Sequence, residues 1–498
     1  MTRMNCLQGH GLRGFAWASL LGLGILSGCG DSNPNDVRGR LLSQETTLPQ
    51  LTGSDYQTSV ATAAAAAPQS AAAILQSLTG GNLPCGLQIH RIRYTTEAGT
   101  AVPSLTATTA ALMLPTGDNA ACSGPRPVVL VAHGTTTDRA YNLADASNWA
   151  NGSNSAKSEA QLMTALLVAQ GFVVVAPNYV GHDRTDSVTH PYLVADQQSK
   201  DMIDAYQAAQ STGLFKGNGK LFITGYSQGG HVALATHRAL QQLGTPVTAS
   251  AGLSGPYAMV NFADTIFAGD INSGATTFAP LMIDSYQQTY GGLFAQASEI
   301  YEDSFTGLPG LMPGLQLSRS ALYTALGQAT LFGTGSGLPV GTYGVGAGNV
   351  LKDRVRTDYL ADVQANPQSN GLPPAQSQNP LRKAALQNDL RNWCPTSPVL
   401  LCGGAYDPTV FFAENAGAMV TYWSRLPAGL ITPLDLQATP PAGSPFASLQ
   451  MGFQGLMAAA TAAAGAPNNR NGHKLLDKYH SAAAPFCYKA AAGFFGQF

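Results

Sequence analysis

Charge is scarce in this chain. Lys, Arg, Asp and Glu together make up 11% of its 498 residues, and the formal net charge is −2. No run of like charge occurs. A surface that neutralises phosphates needs clustered Lys and Arg, so no nucleic-acid or polyanion partner is expected. H-E-x-x-H, acidic clusters and Gly-rich nucleotide loops are also missing, so neither a metal nor a cofactor is implied. No two cysteines stand in C-x-x-C spacing, which sets aside zinc and thioredoxin-type chemistry. Beyond residue 28 no apolar run reaches the roughly 18 residues of a membrane span, so the body is expected to be soluble. There is no internal repeat, and hence no sign of propeller blades.

What is present begins with a processing signal. Arg3 and Arg13 supply a positive n-region, and residues 15–26 form an apolar h-region too short for a stable span. Leu26-Ser27-Gly28-Cys29 resembles a bacterial lipobox. Residues 1–28 are therefore expected to be a lipoprotein signal peptide and Cys29 the lipidated N-terminus, as with a palmitate chain. That would hold the body outside the cytoplasm on a cell-envelope membrane, inner or outer left open. An ordinary signal peptide cut at Gly28, or a weak anchor, is the alternative. Residues 29–52 are polar and Pro-punctuated and read as a tether. Loss of residues 1–28, which carry two Arg and no acid, takes the net charge from −2 to −4.

Seven cysteines are present. Setting aside Cys6 in the signal and Cys29 leaves Cys85, Cys122, Cys394, Cys402 and Cys487, an odd set that implies disulfides and one free thiol in an oxidising compartment. Cys402 ends an apolar, strand-like stretch and is expected to be the free one. The expected pairs are Cys85–Cys122 and Cys394–Cys487.

The body reads as alternating strands and helices. Residues 53–79 are Ala-rich and helical in character, and 88–94 and 105–114 form a hairpin. Residues 127–132 and 171–177 are continuous apolar runs, as for strands buried on both faces. Helices are expected at 158–170 and 195–211, and further strands at 249–253, 398–401 and 430–436. This alternation predicts an α/β fold with a mostly parallel central sheet and an N-terminal antiparallel hairpin. Between 256 and 393 the alternation stops, with helical pieces expected at 286–304 and 317–326 and Gly-rich loops at 307–314 and 333–348. A long insertion before the next core strand is a candidate cap over a site; an unrelated small domain is the alternative. The division is then 53–255 and 394–498 as core and 256–393 as cap or lid insertion.

Gly225-Tyr226-Ser227-Gln228-Gly229 stands between the strand-like residues 220–224 and an amphipathic helix from Gly230 onward. A G-x-S-x-G in that context is a nucleophile elbow: a tight turn that lifts the serine hydroxyl toward the positive end of the following helix. Serine needs a base, and the base an orienting acid. Strand 398–402, a Gly-Gly turn and then Asp407 place a carboxylate where the acid belongs; Asp407 could instead cap a helix starting near Thr409, and Glu414 is poorly placed inside that helix. His473 and His480 are the only histidines after Asp407. His480, one short loop before a last helix at 484–495, is the expected base, and His473 the alternative. The expected oxyanion donors are the backbone N–H groups of Gln228 and of Thr135, in His133-Gly134-Thr135 after strand 127–132. The other histidines are read as packing, strand or loop residues.

Beyond the elbow, Ala176-Pro177-Asn178-Tyr179-Val180-Gly181 resembles the A-P-D-Y-x-G turn of bacterial α/β-hydrolases, with Asn178 for the usual Asp. His190-Pro191-Tyr192-Leu193 resembles their H-P-Y motif, and Tyr479-His480 before Pro485-Phe486-Cys487 their C-terminal histidine segment. The chain is thus similar to the lipase/esterase group, closest to secretory-lipase-like families in lipoprotein form, over most of 88–260 and 394–498. The resemblance implies a serine ester hydrolase acting through an acyl-enzyme on a small-molecule or polymeric ester; it does not cover 256–393, whose apolar composition favours acyl chains or a hydrophobic polymer end over charged substrates. A peptidase of the prolyl-oligopeptidase type, or an acyltransferase using an alcohol in place of water, would share the triad order. A hydrolase-like binding protein would lack one of the three residues.

Overall fold

The computed structural model describes residues 37–66, 71–146, 154–183, 188–315, 319–464 and 478–498. The expected signal peptide, Cys29 and His473 lie outside these residues. A nine-stranded sheet organises the molecule: β1 Leu41–Leu51, β2 Gly86–Glu97, β3 Leu105–Thr116, β4 Arg126–Ala132, β5 Val173–Pro177, β6 Gly217–Tyr226, β7 Ala249–Leu253, β8 Val399–Gly403 and β9 Ile431–Asp435. Their spatial order is β1-β2-β3-β5-β4-β6-β7-β8-β9. Pairings from β1 to β5 are antiparallel, and those linking β5, β4, β6, β7, β8 and β9 are parallel. This is the mostly parallel sheet with antiparallel N-terminal strands that the sequence predicts.

Before the insertion come helices α1 (Gly53–Ala66), α2 (Ala71–Thr79), α3 (Lys157–Leu166), α4 (Ala195–Ser211) and α5 (Gln228–Gln242). Between β7 and β8 lie α6 (Met259–Ala268), α7 (Ala275–Tyr290), α8 (Arg319–Leu326), α9 (Asp353–Ala365) and α10 (Pro380–Gln387). Then follow α11 (Ala418–Tyr422), α12 (Ala447–Ala464) and α13 (Tyr479–Phe495). Among the described residues no helix is long and apolar enough to cross a membrane.

Successive strand residues point to opposite faces, which is why the central strands are apolar throughout. Val129, Val131 and Val174 enter one core layer with α3 and α13, while Val128, Leu130 and Val175 enter the other with α4 and α5. β4 is flanked by β5 on one side and β6 on the other. The chain reverses its direction of travel across the sheet there, and a crevice opens at the carboxyl ends of the flanking strands. The insertion has a core of its own, around Phe267, Tyr286, Tyr301, Phe332 and Tyr359, which also takes in Tyr192, Leu193 and Val194. Arg382, fully buried within it, is held by Asp264 at 2.8 Å and Asp362 at 3.0 Å.

Four sequence expectations need correction. Residues 41–51, read as tether, form β1, paired with β2 from Leu41 opposite Tyr94 to Leu51 opposite Leu87. An edge strand buries little, so its polar side chains show no apolar alternation. In the insertion, the helix expected at 286–304 is instead α7, ending at Tyr290 and containing Pro280. The last helix starts at Tyr479 and passes through Pro485, so His480 sits in its first turn and not in a preceding loop. Finally, Cys85–Cys122 is bonded as expected, but Cys402 is not free: it is joined to Cys487, displacing the expected Cys394–Cys487 pair. Cys402 is fully buried in β8 as anticipated, and a disulfide sulfur is buried as readily as a free thiol.

Candidate active site

Ser227 alone makes the turn from β6 to α5, at φ 59° and ψ −121°. A residue with a side chain is strained in that region, by about 1–3 kcal/mol, and persists only where its surroundings over-determine it. Here they do. Ser227 N–H donates to Leu253 O at 2.8 Å, at the end of β7. A Cβ on Gly225 would come within 2.3 Å of Gly229 O, and one on Gly229 within 2.0 Å of Ala132 O. Gly230 is equally confined, at 2.7 Å from Leu253 O. The glycines are thus required by close backbone approach.

Asp407 follows β8 and is buried. Its Oδ1 accepts from the backbone N–H of Thr409 at 2.9 Å and of Val410 at 3.1 Å, and its Oδ2 lies 2.6 Å from His480 Nδ1. The local capping role and the imidazole contact are therefore combined in one carboxylate. In the neutral tautomer that donates Nδ1–H to Asp407, Nε2 of His480 is the ring's acceptor. That nitrogen is buried and has no hydrogen-bond partner among the described residues. His480 packs against Tyr226, the residue before the elbow serine: the rings lie 5.0 Å apart, and Tyr226 OH donates to His480 O. No Ser227–His480 hydrogen bond is formed in this state. The disulfide Cys402–Cys487 joins the strand leading to Asp407 with the helix bearing His480.

The loop after β4 passes over the elbow. A Cβ on Gly134 would lie 3.5 Å from Tyr226 O and 3.9 Å from Ser227 Cβ. Gly134 N–H donates to Glu159 Oε1 at 2.9 Å, and Tyr141 OH to Glu159 Oε2 at 2.8 Å. Desolvation raises the Glu159 carboxyl above its usual range. Thr135 Oγ1 lies 3.0 Å from Tyr192 OH. The backbone N–H groups of Thr135 and Gln228 donate to no other group among the described residues.

His190 is missed by the sequence reading, which treats it as a loop residue. It is buried, and burial pushes its imidazole down to about 3. Neutral, it donates from Nδ1 to Val180 O at 2.9 Å and accepts at Nε2 from the Gln228 side-chain amide at 2.7 Å. Glu159 is missed as well, and nothing local in the sequence marks it. Asn178, the departure from the family turn, is buried and bonded: its Nδ2 donates to Thr109 Oγ1 and its Oδ1 accepts from Leu143 N–H. His231 and His237 are buried on α5, as packing residues. No cluster of three or more potential metal ligands occurs among the described residues.

A cavity of about 70 Å³ lies between the elbow and the insertion. Ser227, Gln228 and Tyr192 line it on the core side, and Met259, Phe262, Phe278 and Met282 on the insertion side. No lining residue is charged.

Comparison with known proteins agrees with this architecture. The rice cell wall degrading esterase LipA from Xanthomonas oryzae superposes with a TM-score of 0.62 at 23% identity, over 86% of this chain and 98% of that one. A Legionella pneumophila protein gives 0.62 at 18% identity, covering 92% and 98%. The closed state of Candida antarctica lipase A gives 0.52 at 12% identity, covering 92% of each chain. At these identities the likeness is one of fold. No curated protein matches the sequence. Residues 128–448, more than half of the chain, match the alpha/beta hydrolase family profile, and the protein belongs to that family.

Proposed function

We propose that the protein is a serine carboxylic ester hydrolase of the lipase/esterase type. Ser227 Oγ attacks the ester carbonyl while His480 Nε2 takes its proton, and Asp407 orients and stabilises the imidazolium. The N–H groups of Gln228 and Thr135 receive the developing oxyanion. His480 then protonates the leaving alcohol, and water activated by the same nitrogen cleaves the acyl-enzyme. The observation that carries this reading is the Asp407–His480 pair, its Nε2 unpartnered, packed against the strained serine turn. The Ser227–His480 hydrogen bond is expected to form on substrate binding, as is common at such sites.

An uncharged, mostly apolar lining supports an acyl group over a charged peptide terminus. The cavity is small beside ligand clefts of roughly 300–1,000 Å³, so long chains require the insertion to shift as a cap. The N-terminal segment supports a lipid anchor at Cys29 and a place in the cell envelope. The test is hydrolysis of p-nitrophenyl esters of graded acyl length. Wild type is expected to turn over short chains best, and Ser227→Ala to lose at least about 10⁴-fold in kcat. A folded protein with no activity on any ester would overturn the reading.

A further inference from the structure

A much larger hollow than the one at the elbow lies on a flank of the core, and no step of the proposed reaction uses it. Its volume is about 670 Å³, within the roughly 300–1,000 Å³ of ligand clefts. Three helices wall it. Ile74 and Leu78 come from α2, Leu449 and Leu456 from α12, and Phe486 and Lys489 from α13. Spacings of four, seven and three residues keep each pair on a single side of its helix. The four aliphatic side chains pack on the core and stay partly exposed toward the groove. Gly493 of α13 also lines it, and a Cβ there would meet nothing within 4 Å. Glycine is unfavourable inside a helix, and no close neighbour requires one here; its missing side chain leaves the groove open. None of the residues lining this groove lines the cavity at Ser227.

Lys489 is the one charged residue of the lining. It is half-buried, and its side chain forms no ion pair or hydrogen bond among the described residues. No Asp or Glu lines the groove. A single uncompensated cation on an apolar trough is complementary to a ligand with one negative charge and a hydrocarbon tail. Helix walls have their backbone groups already bonded, so the trough offers a peptide strand no edge to pair with, and an alkyl chain needs none. We propose that this groove binds a free long-chain carboxylate, its tail along the aliphatic side chains over Phe486 and its head on Lys489 Nζ. The site does not depend on the ester-hydrolase reading. It does share a helix with the proposed base: His480 lies in the first turn of α13 and Lys489 nine residues on, about 14 Å along the axis.

Calorimetric titration with tetradecanoate, kept below its aggregation concentration, tests this. Wild type is expected to bind it with micromolar affinity. Lys489→Met keeps the apolar stem and removes the charge, and should weaken binding about tenfold. Lys489→Arg restores the charge and should stay within about threefold of wild type. Gly493→Leu puts a side chain into the groove and should weaken binding by at least about tenfold. Leucine is also the better helix former, so the fold should hold; if it does not, the contrast between Lys489→Met and Lys489→Arg decides. The proposal is overturned if wild type binds no tetradecanoate, or if either Lys489→Met or Gly493→Leu keeps wild-type affinity, since the acid would then be held elsewhere, as in the cavity at Ser227. Phosphatidylglycerol vesicles supply the second arm. Should both substitutions lower vesicle binding and spare tetradecanoate, the groove seats the protein on a lipid surface and holds no free acid, which also overturns the proposal.

Discussion

Asp407 divides its carboxylate, one oxygen for two backbone N–H groups and the other for the imidazole. Two substitutions should therefore separate catalysis from stability. Asp407→Asn can still accept both N–H bonds but presents an amide N–H₂ to His480, forcing the wrong tautomer. A loss near 10⁴-fold in kcat is expected, with the unfolding midpoint little changed. Asp407→Ala should lose as much activity and, with two buried N–H groups left unpaired, a further 1–3 kcal/mol or so of stability. Equal stabilities for the two variants in urea would refute the division. At this scale the placing of the candidates was legible: Ser227, Gln228, Thr135 and Asp407 each follow a strand, and His480 comes after Asp407 in chain order at the last helix, while their roles belong to the proposal. Glu159 was not legible, because its role arises only where α3 packs beneath the loop after β4. His190 could have been found through the H-P-Y motif, but only the fold shows that it faces Gln228.

Helices and strands were legible in proportion to how fully they are buried. β7 and α4 have the bounds read from the sequence, since a core strand must be apolar on both faces and α4 lies against the sheet. β1 escaped because an edge strand exposes its side chains, and Pro485 hid the start of α13 by suggesting that the helix begins just before it. The Cys402–Cys487 bond was hidden for another reason: it links residues 85 apart in sequence, and only the packing of α13 against β8 makes them neighbours. Replacing both cysteines by Ser should cost about 2–5 kcal/mol. It should also lower kcat in the folded protein, whereas the same change at Cys85 and Cys122 should lower stability alone. Identical effects of the two replacements on kcat would refute a role in holding acid and base together. In α7, Asp284 accepts from Tyr301 OH at 2.9 Å, and burial pushes its carboxyl up to about 7. An unfolded chain ionises such a group near 3.9. The folded state thus binds the extra proton between those values, and the stability it contributes is present in acid and lost as pH rises through about 7. Asp284→Asn, which cannot ionise, should gain on wild type between pH 4 and pH 8 by up to roughly 4 kcal/mol. Urea midpoints at pH 4, 6 and 8 would show this, and a constant difference would refute it.

Over the whole molecule, one sheet carries the elbow, the loop after β4 and the acid at the same edge, and side chains of the insertion line the cavity at the elbow. The edge strand β1 bears on something quite different. Its approach is fastened too: Arg38 binds both oxygens of Asp204 at 3.0 and 3.1 Å, and Gly39 N–H donates to Thr95 O. If Cys29 is acylated, as we propose, eight peptide links separate the lipid from Val37, a reach of at most about 29 Å. That barely exceeds the radius of gyration, roughly 22 Å, expected of a body this long. Such an enzyme would forage within one molecular diameter of its membrane, so its supply would be set by what dissolves in, or collects on, that surface.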